Sequence, residues 1–333
     1  MATILDVATK AGVGVGTVSR VLNHSPHVSD ATRAKVQVVI DQLGFRPSAV
    51  ARALSSGRNA TIGLVVHFFG TPSVAERLRG VIEVIGHTEN QLVLGAVDTE
   101  KEAREYLKRF MDPPARGLLL LSMGLESDEV ARFEDLSVPV VAIDHLAEGI
   151  DHFFIDNEAG GRMATEHLIE LGHKRIAMIS EEENGDLPRR PSWLRQKGYE
   201  QALADAGLGV DNRLIKALEE HDEKEAAQAT RELLALDDPP TAIFAASDNL
   251  AYGALLVARE LGLRVPDELS VVGFDDIAFS DAVDLTTIRQ PLAESGRAAA
   301  ELLLQTLNGT EAPRLGHQLE LKLIVRNSTA PPS

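Results

Sequence analysis

The feature that most restricts this chain is a change in hydrophobic pattern at residue 61. Upstream, apolar side chains recur only at helical spacing. Downstream, apolar runs alternate with amphipathic helical stretches as far as Leu307. A helix-only piece followed by a strand–helix alternation means two separately built cores. The polar, glycine-containing run Ser55-Ser56-Gly57-Arg58-Asn59 marks the boundary between them.

The same boundary divides the charge. Taken whole, the 333 residues carry 33 Lys plus Arg against 50 Asp plus Glu, a formal net charge of −17. That balance argues against a nucleic-acid or acidic-membrane partner, because phosphate binding needs clustered cations. Residues 1–58, however, hold seven cations (Lys10, Arg20, Arg33, Lys35, Arg46, Arg52, Arg58) and three anions (Asp6, Asp30, Asp41), a balance of +4 that leaves −21 on the rest. A small basic piece joined to a large acidic one points to a nucleic-acid-binding module. Cysteine is absent, which excludes disulfides, thiolate catalysis and Cys-ligated zinc and suits a reducing cytosol. The opening MATILDVATKAG meets Asp6 and so has no apolar signal core. No apolar run approaches the ~20 residues of a membrane span. The expectation is a cytoplasmic protein with no membrane partner and no cofactor or metal.

Three helical patterns fit the basic piece. The first covers Thr3 to Lys10, with Ile4, Val7, Ala8 and Ala11 on one face. The second covers Val15 to Leu22, turning Val18, Val21 and Leu22 inward and Thr17 and Arg20 outward. The third begins at Ser29, a good N-cap, and stops before Gly44, a good residue to follow a helix; its Val36, Val39, Ile40 and Leu43 close a small core. Two helices joined by a tight glycine-containing turn make a helix-turn-helix, whose second helix enters a major groove. After Arg46-Pro47, the Ala-rich stretch Ser48–Leu54 is too short to be stable alone and could fold on DNA, wedging Leu54 into the minor groove. Gly12, Gly14 and Gly16 are spaced GxGxG rather than GxGxxG and follow no strand, so a dinucleotide loop is excluded.

In the acidic piece, strand patterns at 62–66, 92–97, 117–122, 138–144, 153–156, 176–180, 242–246 and 270–274 alternate with helical ones at 74–87, 101–111, 158–171, 194–206, 224–236, 249–261 and 292–307. This alternation means doubly wound parallel sheets, and the strands are too many for one ordinary sheet, so two α/β subdomains are expected. Ligands of such sheets bind beyond the carboxyl ends of strands. There the sequence places Asp144, Ser247-Asp248-Asn249 and Asp275-Asp276, any of which could instead cap the next helix. Carboxylates accept hydroxyl hydrogen bonds, an indole such as Trp193 can stack on a sugar ring, and Arg195 can bridge its oxygens.

The stretch from Thr3 to Val66, with its DVA, AGV, TVSRVLN and RP…ARAL landmarks, resembles the start of a LacI/GalR-family transcriptional regulator. The segments VPVVAID, PTAIFAASDNLAYGAL, LRVPDELSVVGFDD, LTTIRQP and LIVRNSTAPP extend the resemblance to essentially the whole chain. It implies an all-α helix-turn-helix head over residues 1–46, a hinge helix and linker over 47–60, and a type I periplasmic-binding-protein-like effector and dimerisation domain over 61–333. The two subdomains would be 61–156 with 287–316 and 157–284 with 317–330, joined by three crossovers. It also implies that Val15, Gly16 and Thr17 open the recognition helix and that Arg20 reads bases. Thr3, Ser19, Asn23, His27, Ser29 and Thr32 would touch phosphates, and Ala51 and Leu54 would lie on the hinge helix. Effector contacts carried over are Asp144, Arg195, Ser247 and Asp275, with His67 and Phe68 from the first strand end. The implied partners are a pseudo-palindromic double-stranded operator, a second copy of the chain, and a mono- or disaccharide, with a purine-type corepressor as runner-up. Departures from the family are Gly14 and Gly16 in the recognition helix, a helix after Phe69 that reads as short, a long charged loop at 181–191 bearing Arg189 and Arg190, and His221-Asp222-Glu223, where Asp222 could face the ligand.

Rival functions fare worse. No Ser-His-Asp spacing, HExxH or Walker loop occurs, His167 and His173 share no helix face, and adjacent residues such as Asp275 and Asp276 rarely converge on one glycosidic bond, so an enzyme is not expected. A plain sugar-binding protein would lack the basic head.

Overall fold

The computed structural model describes residues 3–22, 25, 27–45, 60–182, 191–219, 222–310 and 316–333. The head consists of α1 (Ile4–Ala11), α2 (Val15–Leu22) and α3 (Asp30–Leu43). Thr3 and Asp6 form a reciprocal capping box on α1, and Gly12 ends it at φ +62°, a backbone conformation that costs glycine little. Val7, Ala8 and Ala11 meet Val18, Val21, Val36, Val39 and Ile40 in one small core, the stripe that helical spacing requires. The expected hinge helix, with Ala51 and Leu54, and Asn23 at the end of α2 lie outside the described residues.

The body contains two six-stranded sheets. In chain order its elements are β1 (Thr61–His67), α4 (Pro72–Ile85), β2 (Gln91–Val97), α5 (Glu100–Met111), β3 (Gly117–Leu121), α6 (Ser127–Asp135), β4 (Val140–Ile143), β5 (Asp151–Ile155), α7 (Asn157–Glu170), β6 (Ile176–Glu181) and α8 (Pro191–Asp205). There follow β7 (Ile215–Leu218), α9 (Glu223–Leu234), β8 (Ala242–Ala245), α10 (Asp248–Leu261), β9 (Ser270–Asp275), α11 (Ala278–Ala282), β10 (Thr286–Arg289), α12 (Leu292–Leu307), β11 (His317–Leu319) and β12 (Lys322–Ile324). The first sheet runs β11-β5-β4-β3-β1-β2, all parallel; the second runs β12-β10-β9-β8-β6-β7, parallel except for β12. Central strands such as Gly117–Leu121 are buried on both faces, which is why they read as unbroken apolar runs.

The sheets differ from expectation at the crossovers. Thr286–Arg289 belongs to the second sheet and His317–Leu319 to the first. The second crossover therefore falls after residue 289 rather than before 287, and the third falls between residues 319 and 322 rather than before 317. The helix after Phe69 is not short, since α4 has 14 residues opened by Pro72 at its first turn. His167 bonds Thr329, and His173 bonds Thr241, Ser270 and the Ala330 carbonyl, so together they pin the final residues onto the second lobe.

The helix pair beside each sheet crosses at glycines. A Cβ at Gly80 or Gly296 would overlap the backbone of the other helix, α12 or α4, and Gly161 on α7 and Gly198 on α8 repeat the arrangement in the second lobe. Gly296 lies under the carbonyl of Arg77 and Gly161 under that of Arg195. In this way each lobe carries one arginine at a close helix crossing.

Candidate functional site

Both sheets share one strand order, with the chain reversing direction between β1 and β3 and again between β6 and β8. Loops diverge at such a switch point and leave a crevice beyond the carboxyl ends of the strands. The two crevices face each other around a cavity of about 60 Å³. From the first lobe come Phe68, Thr71, Ser73, Arg77, Ser122 and Asp144; from the second come Glu181, Ser192, Arg195, Ser247, Asp275 and Gln290. Strand ends deliver several of them through left-handed backbone: φ is +58° at Phe68, +58° at Ser122, +60° at Asp144 and +124° at Asp275. Non-glycine residues hold such angles at a cost, and clustering of that strain at one cleft marks a functional site.

The polar groups are tightly organised. Arg77 Nη2 lies 2.9 Å from Asp144 Oδ1, with side chains 3% and 8% exposed, and Ser122 Oγ donates to Asp144 Oδ2. Arg195 Nε donates to Asn157 Oδ1 at 2.8 Å, Nη1 donates to the Ala246 carbonyl, and the guanidinium stacks 3.6 Å from the Phe274 ring centre. Burial pushes the pKa of Arg195 below the ordinary arginine value, and the carboxylates of Asp275 and Asp144 push it back up. Behind Ser247, Asp248 is fully buried and accepts from Ile277 N, Ser280 Oγ and Thr287 Oγ1, tying α10, α11 and β10 into one wall. Its carboxyl is pushed up to about 6, by burial first and then by the charge of Asp275.

Of the expected effector residues, Phe68, Asp144, Arg195, Ser247 and Asp275 converge on this cavity. His67 and Trp193 do not. His67 lines a separate cavity of about 230 Å³ with His145, and its ring lies 3.6 Å from that of Phe68, which borders the cleft. The Trp193 ring sits 5.4 Å from the Lys197 ammonium, one turn away on α8. Asp222 does not face the cavity; its carboxylate caps α9 by accepting from Lys224 N and Glu225 N. Arg189 and Arg190 lie outside the described residues. Thr71, Ser73, Arg77, Ser122, Ser192 and Gln290 went unread in the sequence. A signal existed for Arg77, which stands on the buried stripe Val74, Val81 and Ile85 of α4.

A second candidate surface lies on the head. Val15 and Gly16 open α2 exposed, Thr17 and Ser19 are half-buried, and Arg20 projects from the last turn. A Cβ at Gly14 or Gly16 would meet nothing within 4 Å, so neither glycine is required by packing. Thr3 and Ser29 spend their side chains as helix caps, with Thr32 Oγ1 2.9 Å from Ser29 Oγ. Both capped helix N-termini, with their partial positive charge, begin at exposed residues, and His27, two residues before Ser29, is exposed as well. Arg33 donates to the Ser25 carbonyl at 2.8 Å and fixes the turn after α2.

A helix-turn-helix head on a two-lobed α/β body with a polar cleft defines a DNA-binding transcriptional regulator. The family model for bacterial regulatory proteins, lacI family, matches residues 3–48, and the model for a periplasmic binding protein-like domain matches residues 165–329. The HTH-type transcriptional repressor PurR of Photobacterium profundum is 34% identical over 98% of both chains. Among solved structures, a complex of the transcriptional regulator CelR with cellobiose aligns at 34% identity and TM-score 0.69 over 98% of this chain and 100% of the other. The lac repressor dimer bound to operator and the anti-inducer ONPF aligns at 26% identity and TM-score 0.82 over 99% of both. The chain belongs to the LacI family of bacterial regulatory proteins. Among the described residues, no helix is long and apolar enough to cross a membrane.

Proposed function

We propose that this regulator is a cytoplasmic repressor of carbohydrate-utilisation genes, released from its operator by a small neutral sugar. The observation that carries the reading is the composition of the cleft. A polyol offers each hydroxyl as donor and acceptor at once. The cleft answers with guanidinium donors from Arg77 and Arg195, carboxylate acceptors from Asp144 and Asp275, and hydroxyls from Ser73, Ser192 and Ser247. Two arginines against Asp144, Glu181 and Asp275 leave one negative charge among the described lining groups, which disfavours a phosphorylated or carboxylated ligand. The relative solved with cellobiose supports the same class. A purine is the weaker reading, because Phe68 is the sole aromatic among the described lining residues and a base would lack a second stacking face.

On the DNA side, two heads of a homodimer would place α2 in successive half-sites of a pseudo-palindromic operator. Arg20 would read bases, with Val15, Gly16 and Thr17 entering the groove and Thr3, Ser19, Asn23, His27, Ser29 and Thr32 at phosphates. Residues 47–60, with Ala51 and Leu54, would form the hinge at the central minor groove. The relative solved as a dimer on operator supports this arrangement. The cleft binds its ligand without turnover, and the division into head, hinge and body follows residues 1–46, 47–60 and 61–333.

A thermal-shift screen of mono- and disaccharides on the full chain tests the reading, since a ligand that binds only the folded state raises the melting temperature. The stabilising sugar is then added to a gel shift on a duplex selected from a random library. The expected result is a severalfold loss of DNA affinity. Unchanged affinity would reject the coupling between cleft and head, tighter binding would make the sugar a corepressor, and consumption of the sugar would make the protein an enzyme.

A further inference from the structure

A buried line of polar contacts crosses the cleft from lobe to lobe. On the first lobe, Asp144 Oδ1 accepts from Arg77 Nη2 at 2.9 Å. The same nitrogen donates to Gln290 Oε1 at 2.7 Å, in the crossover that follows β10. Gln290 Nε2 donates to Asp275 Oδ1 on the second lobe, and Arg195 Nη1 stands 3.8 Å from that carboxylate. Arg77, Gln290, Arg195 and Asp275 are exposed by 3%, 4%, 6% and 5%. Arg77 also borders a void of about 10 Å³ together with Ile155, Pro291 and Leu319, one residue from each of the three crossovers. Its guanidinium therefore stands inside the hinge of the body.

Such a placement is expensive. A buried charge must be paired and its donors satisfied, yet Arg77 Nε is buried with no acceptor among the described residues. An apolar side chain would continue the stripe of Val74, Val81 and Ile85 at no such cost. The arginine is explained by what it joins.

We propose that Arg77 is a positioning residue that latches the two lobes before any effector arrives. It holds Asp144 in one orientation and, through Gln290, fixes Asp275 across the cleft. The effector then meets both carboxylates already set, in a body whose closure the protein's own contacts favour. The functional consequence rests on the reading of the cleft as the effector site; the latch itself does not.

The absence of cysteine makes the test clean. Ser127→Cys at the start of α6 and Lys224→Cys at the start of α9 are exposed and belong to opposite lobes. Spin labels there, on labelled chains diluted into unlabelled ones, report the lobe-to-lobe distance in the full chain without ligand. The expected result is one narrow distance in the parent, a distribution broadened or displaced by several ångströms in Arg77→Met and in Gln290→Leu, and partial recovery in Arg77→Lys. A merely structural arginine would change melting but leave the distance narrow. An unchanged narrow distance in Arg77→Met and Gln290→Leu overturns the latch, and if Arg77→Met fails to fold, Gln290→Leu alone decides. No sugar enters the measurement. Failure of the sugar screen therefore leaves the latch standing, and loss of the latch leaves the sugar reading standing.

Discussion

On the proposed reading of the head, Arg20 is the side chain on which base reading depends. It projects from the last turn of α2, while Gly16, near the start of the same helix, offers no side chain. Bidentate guanidinium contact with one guanine is worth about 1–3 kcal/mol of discrimination. Arg20→Ala should relax preference at one operator position per half-site, measured by binding to a duplex panel varied at each position; equal weakening on all sequences would make Arg20 a phosphate contact. Asp248 gives a pH signature. Its carboxyl titrates near 3.8 unfolded and about 6 folded, so between those values the folded chain holds the proton more tightly. Its contribution to stability is therefore full below about pH 4 and is lost as pH rises through about 6, a swing of about 3 kcal/mol. The unfolding free energy of the parent minus that of Asp248→Asn should fall by that order across this window. A difference that does not vary with pH would show that Asp248 is not held as a buried acid. Single residues were unevenly legible. Asp144 and Asp275 stood out because an apolar strand ran straight into them. Arg77 did not, because its partners Asp144 and Gln290 are 67 and 213 residues away.

At the scale of elements, the contrast between helical glycines is instructive. Gly16 on α2 has open space around a built Cβ, so Gly16→Ala should stabilise the head by about 1 kcal/mol through helix propensity. Gly161 on α7 is opposed by the backbone of Arg195, and a methyl there must push α8 away. Gly161→Ala should therefore cost about 1–3 kcal/mol by overpacking and displace the guanidinium from Asn157, read as a lower melting temperature and weaker sugar binding. A neutral Gly161→Ala would mean that α7 and α8 are not held this close. The same physics explains which elements could be read. Long strands buried on both faces, such as β1 and β3, declare themselves by composition. Ile215–Leu218, Thr286–Arg289, His317–Leu319 and Lys322–Ile324 are three or four residues long, and three of the four lie at sheet edges with half-exposed side chains. Nothing local distinguishes them from loop, and partners far away in sequence decide which sheet each joins. That is why two crossovers were misplaced by a few residues. Helix α6 hid behind its acidic face, since Glu129 and Phe133 are its only buried residues.

For the whole molecule, the charge division makes a claim about DNA that no single contact makes. The net charge of −17 comprises +4 on residues 1–58 and −21 on the remainder. Phosphate contacts by the head give a log–log salt dependence that is linear, with slope about −0.9 per phosphate neutralised. The acidic body does not touch DNA in this scheme, so it acts only over distances that salt leaves unscreened. The screening length is about 10 Å at 0.1 M and about 30 Å at 0.01 M. At physiological salt the body is therefore silent and the head alone sets the slope. At low salt its field reaches the duplex and opposes binding as counterion release strengthens it. The affinity of the full chain for random-sequence duplex, followed by fluorescence anisotropy from about 0.2 M to 0.01 M salt, should rise along a straight line and then flatten below roughly 0.03 M. The flattening should be the same on the selected operator, where contacts made on docking add to the head's affinity without changing the body's repulsion. A line that stays straight to 0.01 M would show that the body's charge is held too far from the DNA to matter.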